Sequence, residues 1–298
     1  MKQSILFPFL KWSAFFVFLG RGWQHIYWDA PFRTLLWDEA WMSSVVSSLL
    51  GMDWNTYVTS PSTNIFIVHW INATGWFYII CAIMALLIDR IPKLAIPFIS
   101  LGGVSLFILA LLYCKENFFF IGQFFEYTLQ WGSPFFLLLL YMESISDKQL
   151  IFCLKIAIAL TFTCHGLYAV GYYPRPGRFI QMTMTILGTN KEASIIFLNT
   201  AGVLDFILSI FIFMPRRLAQ IGLGYAAFWG LATTAARIWA NYIPEFWQDS
   251  LLTCTHESIM RMPHFMIPIS LTLWLLNHKT EYWKSLLKRR RKLMVKEV

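Results

Sequence analysis

The 298-residue chain is 57% hydrophobic and only 13% charged, with a formal net charge of +8. In soluble domains about a quarter of the residues are charged. This composition therefore excludes a soluble globular protein and predicts a protein of the lipid bilayer. Much of the positive charge lies in residues 279–298, a basic tail that suits anionic lipid head groups and argues against a nucleic-acid partner.

Eight apolar stretches are each long enough to cross a bilayer as a helix. They cover roughly residues 5–27, 64–88, 94–113, 124–143, 150–172, 193–214, 218–239 and 251–276. A chain inside lipid must satisfy its own backbone hydrogen bonds, which favours helices. The predicted fold class is therefore all-α: a polytopic membrane helical bundle with about eight transmembrane helices.

The connection between the first two predicted spans has a helical pattern of its own. Apolar residues recur there at three- and four-residue steps after Pro31, which suits a first helical turn. The pattern predicts an amphipathic helix over about residues 30–54. Trp37, Trp41 and Trp54 favour the outer interfacial zone, where this helix either lies flat or covers a cavity.

The two halves of the chain carry small and polar residues in matching places. Gly22 matches Gly166 and Gly75 matches Gly202, and the offset changes only in the connections. This pattern predicts a tandem duplication of a four-helix unit, with both copies in the same orientation. The predicted units are a first membrane repeat at 1–149 with the outer amphipathic helix, a second membrane repeat at 150–278, and a basic cytosolic tail at 279–298.

Lysine and arginine residues set the predicted orientation. They divide about three to one in favour of the side that holds both termini, and positive residues concentrate in the cytosol. The sequence therefore predicts cytosolic N- and C-termini in a bacterial-type inner membrane. The first span lacks a small-residue cleavage site, so we expect it to be retained rather than removed as a signal peptide.

Ionisable side chains lie mainly in the outer halves of the predicted spans. A charged group at bilayer depth costs about 2.5–3.5 kcal/mol on insertion scales, so each needs a partner, a cavity or a function. The repeat pairs Glu126 with Glu257, which predicts a shared centre near the pseudo-two-fold axis. The candidates for ligand binding or proton relay are Arg21, His25, His69, Glu126, His165, Asp205, Arg237, Glu257 and Arg261. The alternative is that these residues pair with one another and only lock the bundle.

Motifs for hydrolases, zinc proteases and nucleotide binding are absent from the sequence, so no catalytic residue is assigned. The five cysteines lack metal-ligand spacing, and no metal site is predicted. Bis-histidine haem needs two histidines at similar depth on facing helices, a depth condition that His69 and His165 meet, but lone histidines are more often structural, which disfavours haem. The aromatic content of 18% mostly reflects lipid contact, although a flat quinone would also use it.

Several short motifs carry a family resemblance. They are the CHGLYAVG segment that begins at Cys164, the NTAGVLD segment from Asn199 to Asp205, Pro215-Arg216-Arg217, and Glu257 with Arg261. These motifs resemble the four-helix DoxX-like membrane proteins. Arg21-Gly22 with Pro31 and Arg33 resembles the vitamin-K-carboxylase-like, or HTTM, group. Carboxylase activity itself is not implied, because the large extracytosolic domain and a lysine deep in an outer half-span are missing.

The sequence leaves three functions open. The resemblance implies a membrane component that binds a quinone or a lipid-like ligand as part of a redox-linked system, and any enzymatic activity would be that of an oxidoreductase component. The ionisable residues near mid-depth also suit a small-solute transporter or permease. The third alternative is a non-catalytic scaffold that holds partner subunits in the lipid bilayer.

Overall fold

The computed structural model describes residues 5–277, and this part of the chain is helical, with no strand. The first half contains α1 (Leu6–Tyr27), α2 (Arg33–Leu36), α3 (Glu39–Val45), α4 (Trp54–Thr59), α5 (Pro61–Leu87), α6 (Pro92–Glu116), α7 (Ile121–Glu126) and α8 (Thr128–Tyr141). The second half contains α9 (Asp147–Val170), α10 (Gly177–Leu187), α11 (Lys191–Phe211), α12 (Arg216–Trp239), α13 (Trp247–Ile259) and α14 (Pro263–Asn277). The predicted basic tail at 279–298 lies outside the described residues.

Within residues 5–277, four helices are long and apolar enough to cross a membrane, namely α5, α6, α9 and α11. The segment 244–259 and α14 form a fifth candidate that is bent by 42° at a short break. Helix α1 carries Lys11 and Arg21, helix α12 carries Arg217 and Arg237, and α8 has only 14 residues. These charges and this short length explain why the remaining predicted spans do not stand out by hydropathy and length.

Glycines allow the first two long helices of each half to approach closely. Helix α1 packs against α5, and α9 packs against α11. A Cβ atom on Gly22 would lie 3.1 Å from the carbonyl oxygen of Gly75, and one on Gly166 would lie 2.9 Å from that of Gly202. Small residues at such crossings let two backbones touch. The four glycines matched in the sequence therefore form two corresponding helix contacts.

The two halves share one core. Helix α13 packs against α1 of the first half, and α7 packs against α9 of the second half. Helix α8 contacts both α1 and α9. The apolar core accordingly contains fully or almost fully buried residues from both halves, including Leu10, Leu137, Leu154, Leu208 and Leu271.

The predicted amphipathic helix over residues 30–54 is divided rather than continuous. Helix α2 ends at Leu36, and α3 begins after Asp38, continues as a π-helical turn over Val46–Leu50 and stops at Gly51, whose φ is +64°. Asp38 interrupts the pattern because its carboxylate caps the Trp41 amide and also binds Lys115 of α6. The hydrogen bond from Lys115 holds the pKa of the Asp38 carboxyl below its ordinary value.

The fourth and eighth predicted spans are also broken. In the first half, α7 ends at Glu126 and α8 begins at Thr128, with Tyr127 between them. In the second half, residues 260–262 separate α13 from α14, which begins at Pro263. Proline lacks a backbone donor and commonly occupies the first turn of a helix, which explains the start of α14. Both breaks border the cavity described next.

Candidate functional site

A polar cavity of about 220 Å³ lies where the two halves of the chain meet. We call it the arginine cavity, because its charged lining residues are Arg21, Arg178, Arg237, Arg261 and Glu257. Its walls come from α1, α6 and α8 of the first half and from α10, α12 and α13 of the second. Tyr127 and Met260, which stand at the two helix breaks, also line this cavity.

Arg21 is a buried charge held by neutral partners. Its side chain is on α1, and the residue is 4% exposed. Nη1 donates to Gln24 Oε1 at 2.8 Å and to Tyr113 OH at 3.2 Å, while Nη2 donates to Gln130 Oε1 at 2.8 Å. The guanidinium also lies 5.0 Å and 5.2 Å from the ring centroids of Tyr113 and Tyr127. These contacts engage three of its five N–H donors but do not neutralise its charge.

The two glutamates that the sequence pattern matches to each other lie beside different arginines. Glu257 Oε2 accepts a hydrogen bond from Arg237 Nη1 at 2.9 Å, and its Oε1 accepts one from Arg178 Nη1 at 2.6 Å. Glu126 Oε1 lies 3.7 Å from Arg261 Nη2, which is too long for a hydrogen bond. Each carboxylate therefore reaches the arginines from a position just before a helix break, Glu126 at the end of α7 and Glu257 near the end of α13.

An apolar cavity, also of about 220 Å³, adjoins the arginine cavity. Its apolar lining includes Phe179, Leu198 and Trp229, contributed by α10, α11 and α12. Arg237 and Arg261 line both cavities and form a common wall. The combined space therefore has a cationic end and an apolar end.

A histidine and an aspartate form a pair beside the apolar cavity. His165 Nδ1 lies 2.7 Å from Asp205 Oδ2, and Asp205 is fully buried. The ring of His165 packs near Phe179 and Trp229, with centroid distances of 5.3 and 6.4 Å. His165 also lines a small pocket with Glu126 and Arg261, which connects this pair to the ionic centre.

Most of the residues singled out in the sequence come together, and two do not. The cluster contains Arg21, Glu126, His165, Asp205, Arg237, Glu257 and Arg261. His25 lies behind it, fully buried, with Nδ1 2.7 Å from the Arg21 carbonyl oxygen and its ring against Tyr78. His69 is exposed on α5, whereas His165 is engaged with Asp205, so the two histidines considered for haem have unlike surroundings.

The structure adds residues that the sequence pattern did not single out. Arg178 stands near the start of α10, in a segment predicted only as a connection, and reaches Glu257. Tyr113 and Tyr127 suit an interfacial belt by composition, yet both line the arginine cavity. His264 of α14 lines the small pocket beside Glu126. The usable signal for Arg178 was its position as a basic residue in the first turn of the amphipathic segment that forms α10.

The helices and the cluster define the class of this protein as an all-helical integral membrane protein with a charged centre. Within residues 5–277, no group of three or more histidine, cysteine, aspartate or glutamate side chains is arranged to hold a metal ion. Comparison with protein-family models finds no matching family, and comparisons with curated proteins and with solved structures find no significant match.

Proposed function

We propose that this protein crosses the membrane eight times and binds a lipid-like, amphiphilic ligand in two adjoining cavities, the arginine cavity between its halves and the apolar cavity of its second half. The observation that carries the proposal is the common wall of Arg237 and Arg261, with a cationic cavity on one side and an apolar cavity on the other. An amphiphile has the same division between a polar head and an apolar body. Binding sites of this kind are concave, mostly apolar and provided with a few convergent polar groups.

Helix lengths and contacts support eight spans in two repeats. At a rise of about 1.5 Å per residue, α1 and α12 are about 33 and 36 Å long, enough for a hydrocarbon core of about 30 Å. The contacts of α1 with α5 and of α9 with α11 correspond, as do those of α13 with α1 and of α7 with α9. This correspondence is what a pseudo-two-fold axis between duplicated units would produce.

The broken helices favour a ligand-binding site rather than a cluster of charges that only pair with one another. Non-helical backbone at bilayer depth is tolerated where it is buried in protein or lines a hydrated cavity. Transporters place substrate sites at such discontinuous helices. Here the break residues Tyr127 and Met260 line the arginine cavity, whose volume of about 220 Å³ leaves room for several waters.

Membership of the DoxX-like and HTTM group is part of this proposal and rests on the motifs in the sequence. The orientation is also part of this proposal and rests on the distribution of lysine and arginine: both termini lie in the cytosol, and the arginine cavity lies toward the outer side of a bacterial-type inner membrane. Under this proposal the protein contributes ligand binding to a larger, redox-linked membrane system. Solute transport and scaffolding of partner subunits stay predictions of the sequence alone.

Filling the apolar cavity should remove the bound ligand. Ala232 lines this cavity, whereas Ala235 is exposed on the same helix. We expect Ala232→Trp to lower the amount of copurifying amphiphile at least tenfold, because the indole occupies the space of the apolar body. Ala235→Trp should retain the ligand. The measurement is organic extraction of each protein, purified in a neutral detergent, followed by mass spectrometry.

Two results would contradict the proposal. One is a wild-type protein that repeatedly yields no compound in near-stoichiometric amount. The other is equal ligand content in the two tryptophan variants, which would place any bound compound outside the cavity. Thermal melting of both variants provides the control for folding.

A further inference from the structure

Building on the proposed function, we infer that the ligand is an anionic amphiphile whose phosphate-type head group binds in the arginine cavity. Its apolar chain occupies the adjoining cavity between α10, α11 and α12. A phosphate ester of a lipid is the ligand class that this arrangement fits best.

The excess of positive charge at the arginine cavity favours an anionic ligand. Among the described residues, the centre brings together four guanidinium groups, and two carboxylates approach them. Glu257 is shared by Arg178 and Arg237, and Glu126 stays 3.7 Å from Arg261. Arg21 has only neutral partners. Two positive charges are therefore left over at a centre in which all the arginines except Arg178 are largely buried, and an anion would compensate them.

The hydrogen-bond donors of the arginine cavity favour a phosphate-type head group. A guanidinium presents planar, paired donors that match the oxygens of a phosphate, and such charge-assisted bonds are the strong ones. The Tyr113 hydroxyl, which lies in the same cavity, accepts hydrogen bonds from Arg21 and Gln24, so its own O–H can donate to a head-group oxygen. A neutral quinone would accept hydrogen bonds from these groups as well, but it would leave the surplus positive charge uncompensated.

Exposed residues line both cavities, so a ligand can reach each of them from outside the protein. The side chain of Arg178 is 67% exposed, although it reaches the buried ionic centre, so it stands at the mouth of the arginine cavity. At the apolar end, Leu187 of α10 and Phe197 of α11 line the cavity and are also exposed. An acyl or prenyl chain could therefore pass from the lipid between α10 and α11 while its head group meets Arg178.

Three defined probes test the inference on the purified full-length protein in a neutral maltoside detergent. Dodecyl phosphate carries both the head group and the chain, dodecanol carries the chain alone, and inorganic phosphate carries the head group alone. Calorimetric titration should show the tightest binding for dodecyl phosphate, at least tenfold tighter than for either partial probe. Its affinity should also fall as salt concentration rises, because exposed charges at the mouth are screened.

Matched variants locate the site. Arg178→Gln should weaken dodecyl phosphate binding at least tenfold while leaving the pair of Glu257 and Arg237 intact. Lys191→Gln removes an exposed positive charge at the start of α11, outside both cavities, and should not change the affinity. Ala232→Trp should abolish the advantage of dodecyl phosphate over inorganic phosphate, because only the chain is excluded.

The outcomes separate the inference from the proposed function. If dodecanol binds as tightly as dodecyl phosphate, the ligand is a neutral amphiphile; the proposed function then stands and the anionic head group is wrong. If inorganic phosphate binds as tightly as dodecyl phosphate, the source of the anion is a free phosphate rather than a lipid. If none of the three probes binds to a folded protein, both the inference and the proposed function are contradicted. Equal affinities of Arg178→Gln and Lys191→Gln would also overturn the assignment.

Discussion

Gly230→Ala is expected to destabilise the protein severely, whereas Gly224→Ala on the same helix should be neutral or slightly stabilising. A Cβ atom on Gly230 would lie 2.2 Å from the carbonyl oxygen of His264 and 2.6 Å from its carbonyl carbon. These are backbone atoms at the start of α14, so the clash cannot be relieved by a side-chain rotation. Overpacking of this kind costs about 1–3 kcal/mol, and more when backbone must move.

Gly224 provides the matched control. A Cβ atom placed there would have no other atom within 4 Å, apart from its chain neighbours and the backbone of its own helix. Alanine is favoured over glycine in a helix by about 1 kcal/mol. Thermal melting of both variants in the same detergent compares them directly. Equal melting temperatures would mean that α12 and α14 are not in contact at Gly230, and the wall formed by Arg237 and Arg261 would then lose its support.

Glu257→Gln is the second change with a large expected effect. It removes the carboxylate that Arg237 and Arg178 share, and Arg237 is 8% exposed. Breaking a buried ion pair by removing one partner costs about 3–5 kcal/mol, because the remaining charge is left uncompensated. Since the Glu257 side chain is itself 19% exposed, we expect the lower end, about 3 kcal/mol.

A double variant and a control make this prediction specific. Glu257→Gln combined with Arg237→Gln should recover much of the stability, since the stranded charge is gone. Glu245→Gln, an exposed change in the turn before α13, should leave the melting temperature unchanged. If the centre also binds an anion, Glu257→Gln should retain or tighten dodecyl phosphate binding while stability falls. Loss of binding together with unchanged stability would contradict both roles.

The sequence singled out the positions where helices approach closely, although not which glycines meet. It matched Gly22 to Gly166 and Gly75 to Gly202 between the halves, and the structure brings Gly22 to Gly75 and Gly166 to Gly202 at two helix crossings. Such positions are visible in a sequence because only the smallest residue fits, whichever side chains surround it. The ionisable cluster was visible for a similar reason, since a charge inside an apolar span needs a partner or a cavity.

The orientation of individual side chains was not predictable in the same way. Helix α5 is apolar around its circumference, so its hydropathy does not show that His69 faces outward. The apolar stretch also continues without interruption through Tyr127, where the structure shows a break between α7 and α8. Arg178 lies outside the apolar stretches, and only the packing of α10 against α11 and α12 brings it to the centre. These features depend on tertiary contacts between segments distant in sequence.

A high-resolution cryo-electron microscopy map of the protein in nanodiscs made from lipid extract tests the central claim most directly. We expect eight helical crossings of the disc and an elongated density whose compact end lies among Arg21, Arg178 and Arg237. The rest of that density should continue past Arg261 into the cavity beside Phe179 and Trp229. A map in which the arginines close onto Glu126 and Glu257 and both cavities disappear would contradict the account and identify the cluster as an ionic lock.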